Sequence, residues 1–451
     1  MERKLTLIGS LAFYLTLICG NVQAGPPLAQ ESPYDGDHKH FWRVKTHEHE
    51  MGDFFKGLDI SGQMTGIYQN SGLDLQPGDL TGKAENHPYA TGTFSSDLFI
   101  EKEFDNDYVM FDIQYASGLG VDANLQGGGM VNNDVMQDFE HNNQPYIARA
   151  YYEHTWEAGG GYKARLDMGR FSVADFFDLG ERVADQAVRF INQAICNNGA
   201  FDYVQDLQGH GYTFGTRVAL ETPWINLSGA ALSSDSVLDN LSDKYSLIGS
   251  LEFHHQFTEN VTGKYQIYYF KNFGEYARFD DQGNLVTDDT TPNHDLINTS
   301  DNPDNLDKAG FGISIDQSLP MGINLFGKYG KQDDDRDVRH YQDMDESVMF
   351  GFDLSGEHWR RPKDVLGIAY QIGRLTGNHR LAHEKGYESF FSRPGIGAGN
   401  YADERVLEIY YRWALTDHIG IGPDYQHIEN FFYSRKIGGV DFWGARINVG
   451  Y

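Results

Sequence analysis

The chain has 451 residues and a formal net charge of −29 at pH 7. So acidic a surface repels nucleic acid and argues against any partner with a phosphate backbone. Mean hydropathy is −0.52, and aromatic residues make up 14% of the chain. These values exclude a bundle of membrane helices but not a membrane β-barrel, because only alternate residues of a barrel strand face lipid.

Residues 1–24 have the features of a secretory signal peptide. A basic start at Arg3 and Lys4 precedes an apolar run over 5–19, and a small-residue cleavage site ends at Ala24. The apolar run is too short to span a bilayer as a helix. Since only Cys196 remains after cleavage, no disulfide can form within the mature chain.

Residues 25–56 are polar and irregular, and we expect them to form a periplasmic segment. They contain His38, His40, His47 and His49, whose spacing also occurs in metal sites. A solvated leader is the favoured interpretation, so the sequence predicts neither a metal nor a cofactor.

From residue 57 to the end, apolar and polar residues alternate in segments of about ten residues, the length that a tilted strand needs to cross the hydrocarbon. In the first segment Ile60, Met64 and Tyr68 share one face, and Ser61 and Gln63 share the other. About sixteen such segments follow one another, at 57–69, 92–104, 107–117, 146–157, 161–170, 211–222, 224–233, 243–257, 261–271, 308–318, 322–331, 346–356, 363–374, 404–415, 418–428 and 441–451.

Short and long connections alternate along the chain. Turns of a few residues lie near 105–107, 159–161, 223, 259–260, 320, 362 and 416–417, and long connections include 70–91, 118–145, 171–210, 272–307 and 375–403. This alternation is typical of a barrel with short periplasmic turns and long extracellular loops. The alternation of faces continues to Tyr451, as expected for a last strand that pairs with the first. The sequence therefore predicts an all-β fold, in which residues 57–451 form a transmembrane antiparallel β-barrel.

The two faces of the predicted strands differ in chemistry. Phe111, Ile113, Leu251 and Tyr269 are examples of the apolar face. Charged residues occupy the other face, and an Arg or Lys facing lipid at mid-depth would cost about 2–4 kcal/mol. We therefore expect that face to line the lumen. The candidate pore-lining residues are Asp112, Arg149, Tyr151, Glu153, Arg165, Asp167, Arg217, Lys264, Tyr268, Glu408 and Arg412; further charges on this face include Lys328, Asp353, Asp424 and Arg446.

Several of these charges have a simpler interpretation. Arg165 with Asp167, and Arg217 with Glu221, could neutralise each other and only stiffen the wall. Inward aromatic residues could likewise pack against a loop rather than contact a substrate.

The connection at 171–210 combines apolar residues with charges. Phe176, Phe177, Phe190 and Ile195 are among the apolar residues, and 181–195 has the spacing of a short amphipathic helix. A loop this apolar is expected to fold into the barrel and narrow it; a lid across the outside of the mouth is the alternative. The candidate constriction residues are Asp175, Asp178, Glu181, Arg182, Asp185 and Arg189.

A set of sequence blocks then points to a family. The blocks are Gly169-Arg170-Phe171, Asp175-Phe176-Phe177, Asn197-Asn198-Gly199-Ala200-Phe201, residues 361–370, Glu408-Ile409-Tyr410-Tyr411-Arg412 and residues 421–430. In their order and spacing the chain resembles the carbohydrate-selective porin family, the OprB type.

The resemblance implies a sixteen-stranded porin in the outer membrane of a Gram-negative bacterium, through which sugars diffuse down a gradient. It also implies an eyelet with charged residues, to which Arg149 and Glu153, with Tyr151 between them, are matched. Phe431 stands where the family pattern leads us to expect Pro, and the strong acidity leaves the identity of the sugar open.

The predicted function is thus passive, selective diffusion of mono- and oligosaccharides, with outer-membrane lipid and lipopolysaccharide as surroundings. A general cation-preferring porin is the alternative that the charge favours. A barrel enzyme would need a nucleophile and a base together, and no spacing pairs Ser392 with His383. A homotrimer is compatible with a porin of this size, although the sequence offers no interface residue.

Overall fold

The structure is a computed structural model, and it describes sixteen strands that close into one antiparallel barrel. The described residues are 57–72, 89–118, 120–121, 131–132, 143–178, 180, 182–183, 185–202, 204, 211–234, 244–258, 261–286, 306–338, 344–387 and 399–450. The predicted signal peptide, the leader at 25–56 with its histidines, and Glu181 lie outside them.

The barrel strands follow the segments that alternation predicted. They are β1 (Leu58–Ser71), β2 (Tyr89–Phe104), β3 (Asp107–Ser117), β4 (Tyr146–Gly159), β5 (Tyr162–Ser172), β6 (Tyr212–Glu221), β7 (Ile225–Ser233), β8 (Tyr245–Thr258), β9 (Val261–Tyr276), β12 (Leu306–Leu319), β13 (Ile323–Gln332), β14 (Glu346–Ser355), β15 (Val365–Arg374), β16 (Glu404–Ala414), β17 (Ile419–Glu429) and β18 (Gly439–Gly450); a small hairpin of β10 (Arg278–Phe279) and β11 (Leu285–Val286) lies between β9 and β12.

Closure joins the first strand to the last. β1 pairs with β18 in a register that sets Gly66 opposite Ile447, and every other barrel strand pairs with its neighbour in the chain, with β9 beside β12. Because the sheet closes on itself, no strand edge is left unpaired. The predicted antiparallel barrel is confirmed, although Tyr451 itself lies outside the described residues.

The strand faces also agree with the prediction. Phe111, Leu251 and Tyr269 are exposed on the outside of the barrel, whereas Asp112 and Glu252 on the alternate face are buried. The hydrophobic core accordingly lies inside the barrel, where loop residues such as Phe190 and Ile195 pack on inward wall residues. The outer surface is left to face lipid.

A short helix in the connection between β5 and β6 is confirmed, but its predicted bounds of 181–195 are wrong. Among the described residues of this loop the α-helix is α1 (Gln193–Cys196), preceded by turns and by a short 3₁₀-helix, Val173–Asp175. The backbone N–H groups of Ile191 and Asn192 donate to the Glu408 carboxylate instead of to carbonyls one turn earlier. The barrel wall therefore competes successfully with helix formation. A second helix, α2 (Gly377–Glu384), lies in the connection between β15 and β16.

Candidate channel lumen and constriction

The connection between β5 and β6 crosses the interior of the barrel. Phe190 packs edge-on against Tyr410 and Phe326, with ring centroids 4.8 and 5.6 Å apart. Both partners lie on inward faces, on β16 and β13, which are far from β5 and β6 around the barrel. Phe190 and Ile195 thus fill the lumen beside the opposite wall, whereas Phe176 and Phe177 pack on the near side of the barrel.

Buried charges of the far wall hold this connection by its backbone. Glu408 accepts hydrogen bonds from the N–H groups of Ile191 and Asn192 at 2.7 and 3.1 Å. Arg446 donates to the carbonyl of Arg189 at 2.6 Å, and the Arg189 guanidinium lies 3.4 Å from a carboxylate oxygen of Asp353. Backbone groups that enter a protein interior need such partners, so these wall charges make the inward path of the connection possible.

A partly exposed charged group lies on the near wall. The Arg149 guanidinium contacts Asp112 through Nη1 at 2.6 Å and binds both carboxylate oxygens of Asp175 at 2.7 and 2.9 Å. Its side chain is 17% exposed, and it lies 5.0 Å from the ring centroid of Tyr212. The bidentate contact fixes the plane of the guanidinium, so a charged group of defined orientation lies on the lumen wall.

The start of the connection is built to hold Asp175 in this place. Asp175 ends the 3₁₀-helix Val173–Asp175, and the Ser172 side chain accepts a hydrogen bond from the Ala174 N–H at that helix's start. Asp175 Oδ2 in turn accepts from the Ser172 N–H at 2.9 Å. This reciprocal capping box orients the carboxylate toward Arg149.

Aromatic rings border the charged group. Tyr151 packs edge-on against Phe171 and Phe176, with centroid distances of 6.3 and 6.2 Å. The Arg217 guanidinium lies over the Phe176 ring at 4.4 Å. Phe171, Phe176 and Arg217 are almost fully buried, so their packing supports the charged group, and Tyr151 remains partly exposed beside it.

The pairing of the wall charges differs from the sequence prediction. Arg165 contacts Glu153 at 3.0 Å and Glu221 at 2.9 Å, and Arg217 contacts Asp167 at 2.7 Å. The reason is geometric: Arg217 lies directly opposite Asp167 in the β5–β6 register. Residues directly opposite on neighbouring strands are closer than residues two apart on one strand. Arginine and carboxylate side chains thus do pair on this wall, but the partners belong to neighbouring strands and not to one strand.

A second polar group beside Arg149 was missed. Asp97 on β2 accepts hydrogen bonds from Gln63 at 2.9 Å and from Gln114 at 2.7 Å, and Tyr146 donates to Gln114. Asp97 lies at one of the alternate positions of β2 that face inward, so alternation along this strand could have identified it. Tyr212, at the first position of its strand, gave no comparable signal.

The structure separates the remaining candidates. Asp178, within the connection, is buried against Tyr268 of the wall. Arg182 lies near Asp316 and Ser318, and Asp185 caps the N–H of Ala187. Lys264 and Arg412 lie on inward faces near the strand ends that join short turns. Asp112, Arg149 and Asp175 are brought together. Asp178 and Arg189 instead join the connection to the wall, as do Tyr268 and Glu408 from the wall side.

Among the residues that the structure describes, no helix has the length and apolar character needed to cross a bilayer. In the same residues no group of three or more His, Cys, Asp or Glu side chains is arranged to hold a metal ion.

Comparisons with known proteins were made by sequence family and by structure. The model of the carbohydrate-selective porin, OprB family, matches residues 98–449. The high-pH structure of Pseudomonas putida OprB is similar with a TM-score of 0.65 and 16% identity, covering 88% of this chain and 95% of that chain. The low-pH structure of the same protein has a TM-score of 0.47 and 12% identity, covering 88% and 94%. The outer-membrane channel DcaP of Acinetobacter baumannii has a TM-score of 0.47 and 12% identity, covering 87% and 97%.

At these identities the structural likeness shows the fold alone, and the family match carries the assignment. No curated protein matches the chain. The family match extends over most of the sequence, over the end of β2 and over the fourteen barrel strands that follow it, in full or nearly so. The chain therefore belongs to the carbohydrate-selective porin family of the OprB type, and it is an outer-membrane β-barrel channel of the Gram-negative kind.

Proposed function

We propose that sugars diffuse through this barrel along the wall formed by β1–β6, past Arg149. One observation carries the proposal: Arg149 stays partly exposed between Asp112 and Asp175, whereas the wall at Glu408 is covered by the connection between β5 and β6. A sugar offers hydroxyl donors and acceptors and apolar C–H faces. Guanidinium N–H groups, carboxylates and partly exposed tyrosine rings such as Tyr151 complement all three.

Binding at this wall has to be weak, because a channel that holds its substrate tightly does not conduct it. A dissociation constant near ~1 mM, or about −4 kcal/mol, is the tightest that we expect. The pairing of Arg149 with two carboxylates is consistent with this, since the guanidinium already has partners that a sugar must share.

The test is uptake by liposomes that contain the purified protein. The proposal predicts faster swelling with mono- and disaccharides than with zwitterionic amino acids of similar size. Equal rates would remove the sugar selectivity and leave a general diffusion channel.

A cation-preferring porin is the second candidate, and specific observations favour it. The net charge is −29, and two carboxyl groups, the buried Asp97 and the partly exposed Asp175, lie near the single guanidinium of Arg149. Reversal potentials in a salt gradient, measured with and without sugar, separate the two candidates. A strong cation preference that sugars leave unblocked would favour the second.

Three further features remain proposals of our own. We infer that residues 1–24 are removed on export and that 25–56 stay in the periplasm, which the N-terminal sequence of the mature protein would test. We propose a channel without catalytic turnover, tested with lipid and glycoside substrates. A homotrimer is tested by light scattering of the detergent-solubilised protein, corrected for bound detergent.

A further inference from the structure

Lys328 holds two distant points of the connection between β5 and β6. It lies on the inward face of β13 and is 5% exposed. Its Nζ donates to the backbone carbonyl of Asp178 at 3.0 Å, to Asp178 Oδ2 at 2.9 Å and to the carbonyl of Cys196 at 3.0 Å. All three N–H groups of the ammonium are therefore used. We call the described residues between these points (180, 182–183 and 185–195) the lumen segment, and the Asp178–Lys328–Cys196 contact its neck.

Asp178 is fixed at the neck from several strands. Its backbone is left-handed, with φ of 60°, which turns the chain into the lumen. Oδ1 accepts hydrogen bonds from Tyr268 on β9 at 3.2 Å and from Ser314 on β12 at 3.0 Å, and Oδ2 accepts from the N–H of Asn198 at 2.7 Å. The carboxylate thus joins the beginning of the lumen segment, its end and the barrel wall.

Asn198 completes the neck on the other side. Its Nδ2 donates to the Tyr268 hydroxyl and to the Tyr329 carbonyl, both at 2.9 Å. A Cβ at Gly330 would lie 2.2 Å from Asn198 Oδ1, so only glycine leaves room for this side chain. The barrel wall at Gly330 therefore leaves the space that the neck needs.

The neck lies close in sequence to the channel wall. Asp178 follows Asp175 by one turn, and Asp175 binds Arg149. The far part of the lumen segment is held separately, by Glu408 and Arg446. Three residues of backbone link the neck to Asp175, so opening of the neck is expected to act on the contact between Asp175 and Arg149, although Lys328 contacts neither of them.

We propose that Lys328 is a positioning residue that sets the width of the passage by holding the neck of the lumen segment closed. The proposal rests on the proposed function only in naming the passage. Removing the ammonium leaves the Asp178 carboxylate buried without its cation, which is strongly unfavourable, so the neck has to open or admit water.

The test is single-channel conductance of full-length Lys328→Met in planar bilayers with KCl alone. Met keeps the length and apolar stem of Lys but has no donor. The matched control is Lys331→Met, three residues later on the same strand, where the side chain is exposed on the outer face. We expect Lys328→Met to show a higher conductance with added current fluctuations, and Lys331→Met to resemble wild type. Lys328→Arg, which keeps the charge, should restore most of the wild-type value.

A second measurement gives a readout that barrel stability alone would not change. Liposomes with Lys328→Met should lose the wild-type discrimination between a disaccharide and a trisaccharide, while the heat-dependent gel shift of the folded barrel stays the same. If Lys328→Met does not fold, Asp178→Asn is measured instead, since it removes the other charge of the neck. Wild-type conductance and size discrimination in the variant that folds would overturn the proposal. Failure of wild-type protein to pass any sugar would refute the proposed function but not the conductance result.

Discussion

Replacing Arg149 by Gln tests whether the charged group on the near wall controls permeation. Arg149 is paired with both Asp112 and Asp175, and Asp175 keeps 21% of its side chain exposed. The substitution removes one positive charge and leaves Asp175 charged toward the passage. Gln cannot reproduce the bidentate contact of the guanidinium.

The size of the effect follows from the geometry. A cation that passes at about 5 Å from an unneutralised carboxylate gains roughly 0.8 kcal/mol in the dielectric of water, and more where water is scarce. The same carboxylate disfavours an anion by an equal amount. Since about 1.4 kcal/mol corresponds to tenfold, the cation-to-anion permeability ratio should rise by roughly fifteenfold. Losing a charged donor should also weaken sugar block, by about 1 kcal/mol or roughly fivefold.

The assay is the reversal potential in a KCl gradient, followed by titration of the current with a disaccharide. Arg405→Gln is the control, because Arg405 pairs with Glu429 on the outer surface, where both side chains are about half exposed. An unchanged permeability ratio in Arg149→Gln, or an equal rise in Arg405→Gln, would refute the reasoning.

Three more substitutions probe the fold around this site. Phe190→Ala should cost about 3–5 kcal/mol of packing, and protease added to the folded barrel should cleave the connection that carries it faster than in wild type. Gly169→Ala should lower the yield of folded barrel on gels, because φ is 139° and a Cβ would lie 2.3 Å from the Ala150 carbonyl oxygen. At the turn before β15, burial raises the pKa of Asp364, but hydrogen bonds from Arg361 and its other partners more than offset this and hold the pKa below its ordinary value. Its stabilisation is present above about pH 3.9 and is lost as the pH falls below, so wild type should lose thermal stability between about pH 4 and pH 2 and Asp364→Asn should lose less.

The barrel could be predicted from the sequence because the pattern that produces it is local to each strand and is repeated in every strand. Alternation along each strand reflects two solvents, lipid and lumen, and Phe111 and Asp112 show the difference one residue apart. Strand ends agreed closely for most segments. The hairpin of β10 and β11 escaped prediction, since two-residue strands are too short to show alternation.

The lumen could be predicted only in part. Alternation along the strands assigned Arg149, Glu408 and Lys328 to the inner face, but it does not say which of these side chains contacts the connection between β5 and β6. That depends on the path of the connection. The spacing of the apolar residues in the connection suggested a longer helix, which the Glu408 contacts prevent. The expected pair of Arg165 and Asp167 does not form, for a related reason. Partners are set by the register between neighbouring strands, which spacing along one strand cannot reveal.

The most direct test of the account is the reactivity of two inward glutamines replaced by cysteine. Gln114 on β3 and Gln371 on β15 each lie three residues before the last residue of their strands, Ser117 and Arg374. Gln114 is partly exposed on the near wall, whereas Gln371 is fully buried on the covered wall. The native Cys196 is buried, and burial raises the pKa of its thiol, so it contributes no background. A small charged thiol reagent should label Gln114→Cys quickly and reduce its conductance, and should leave Gln371→Cys unchanged; the reverse order, or equal rates, would contradict a passage along the wall of β1–β6.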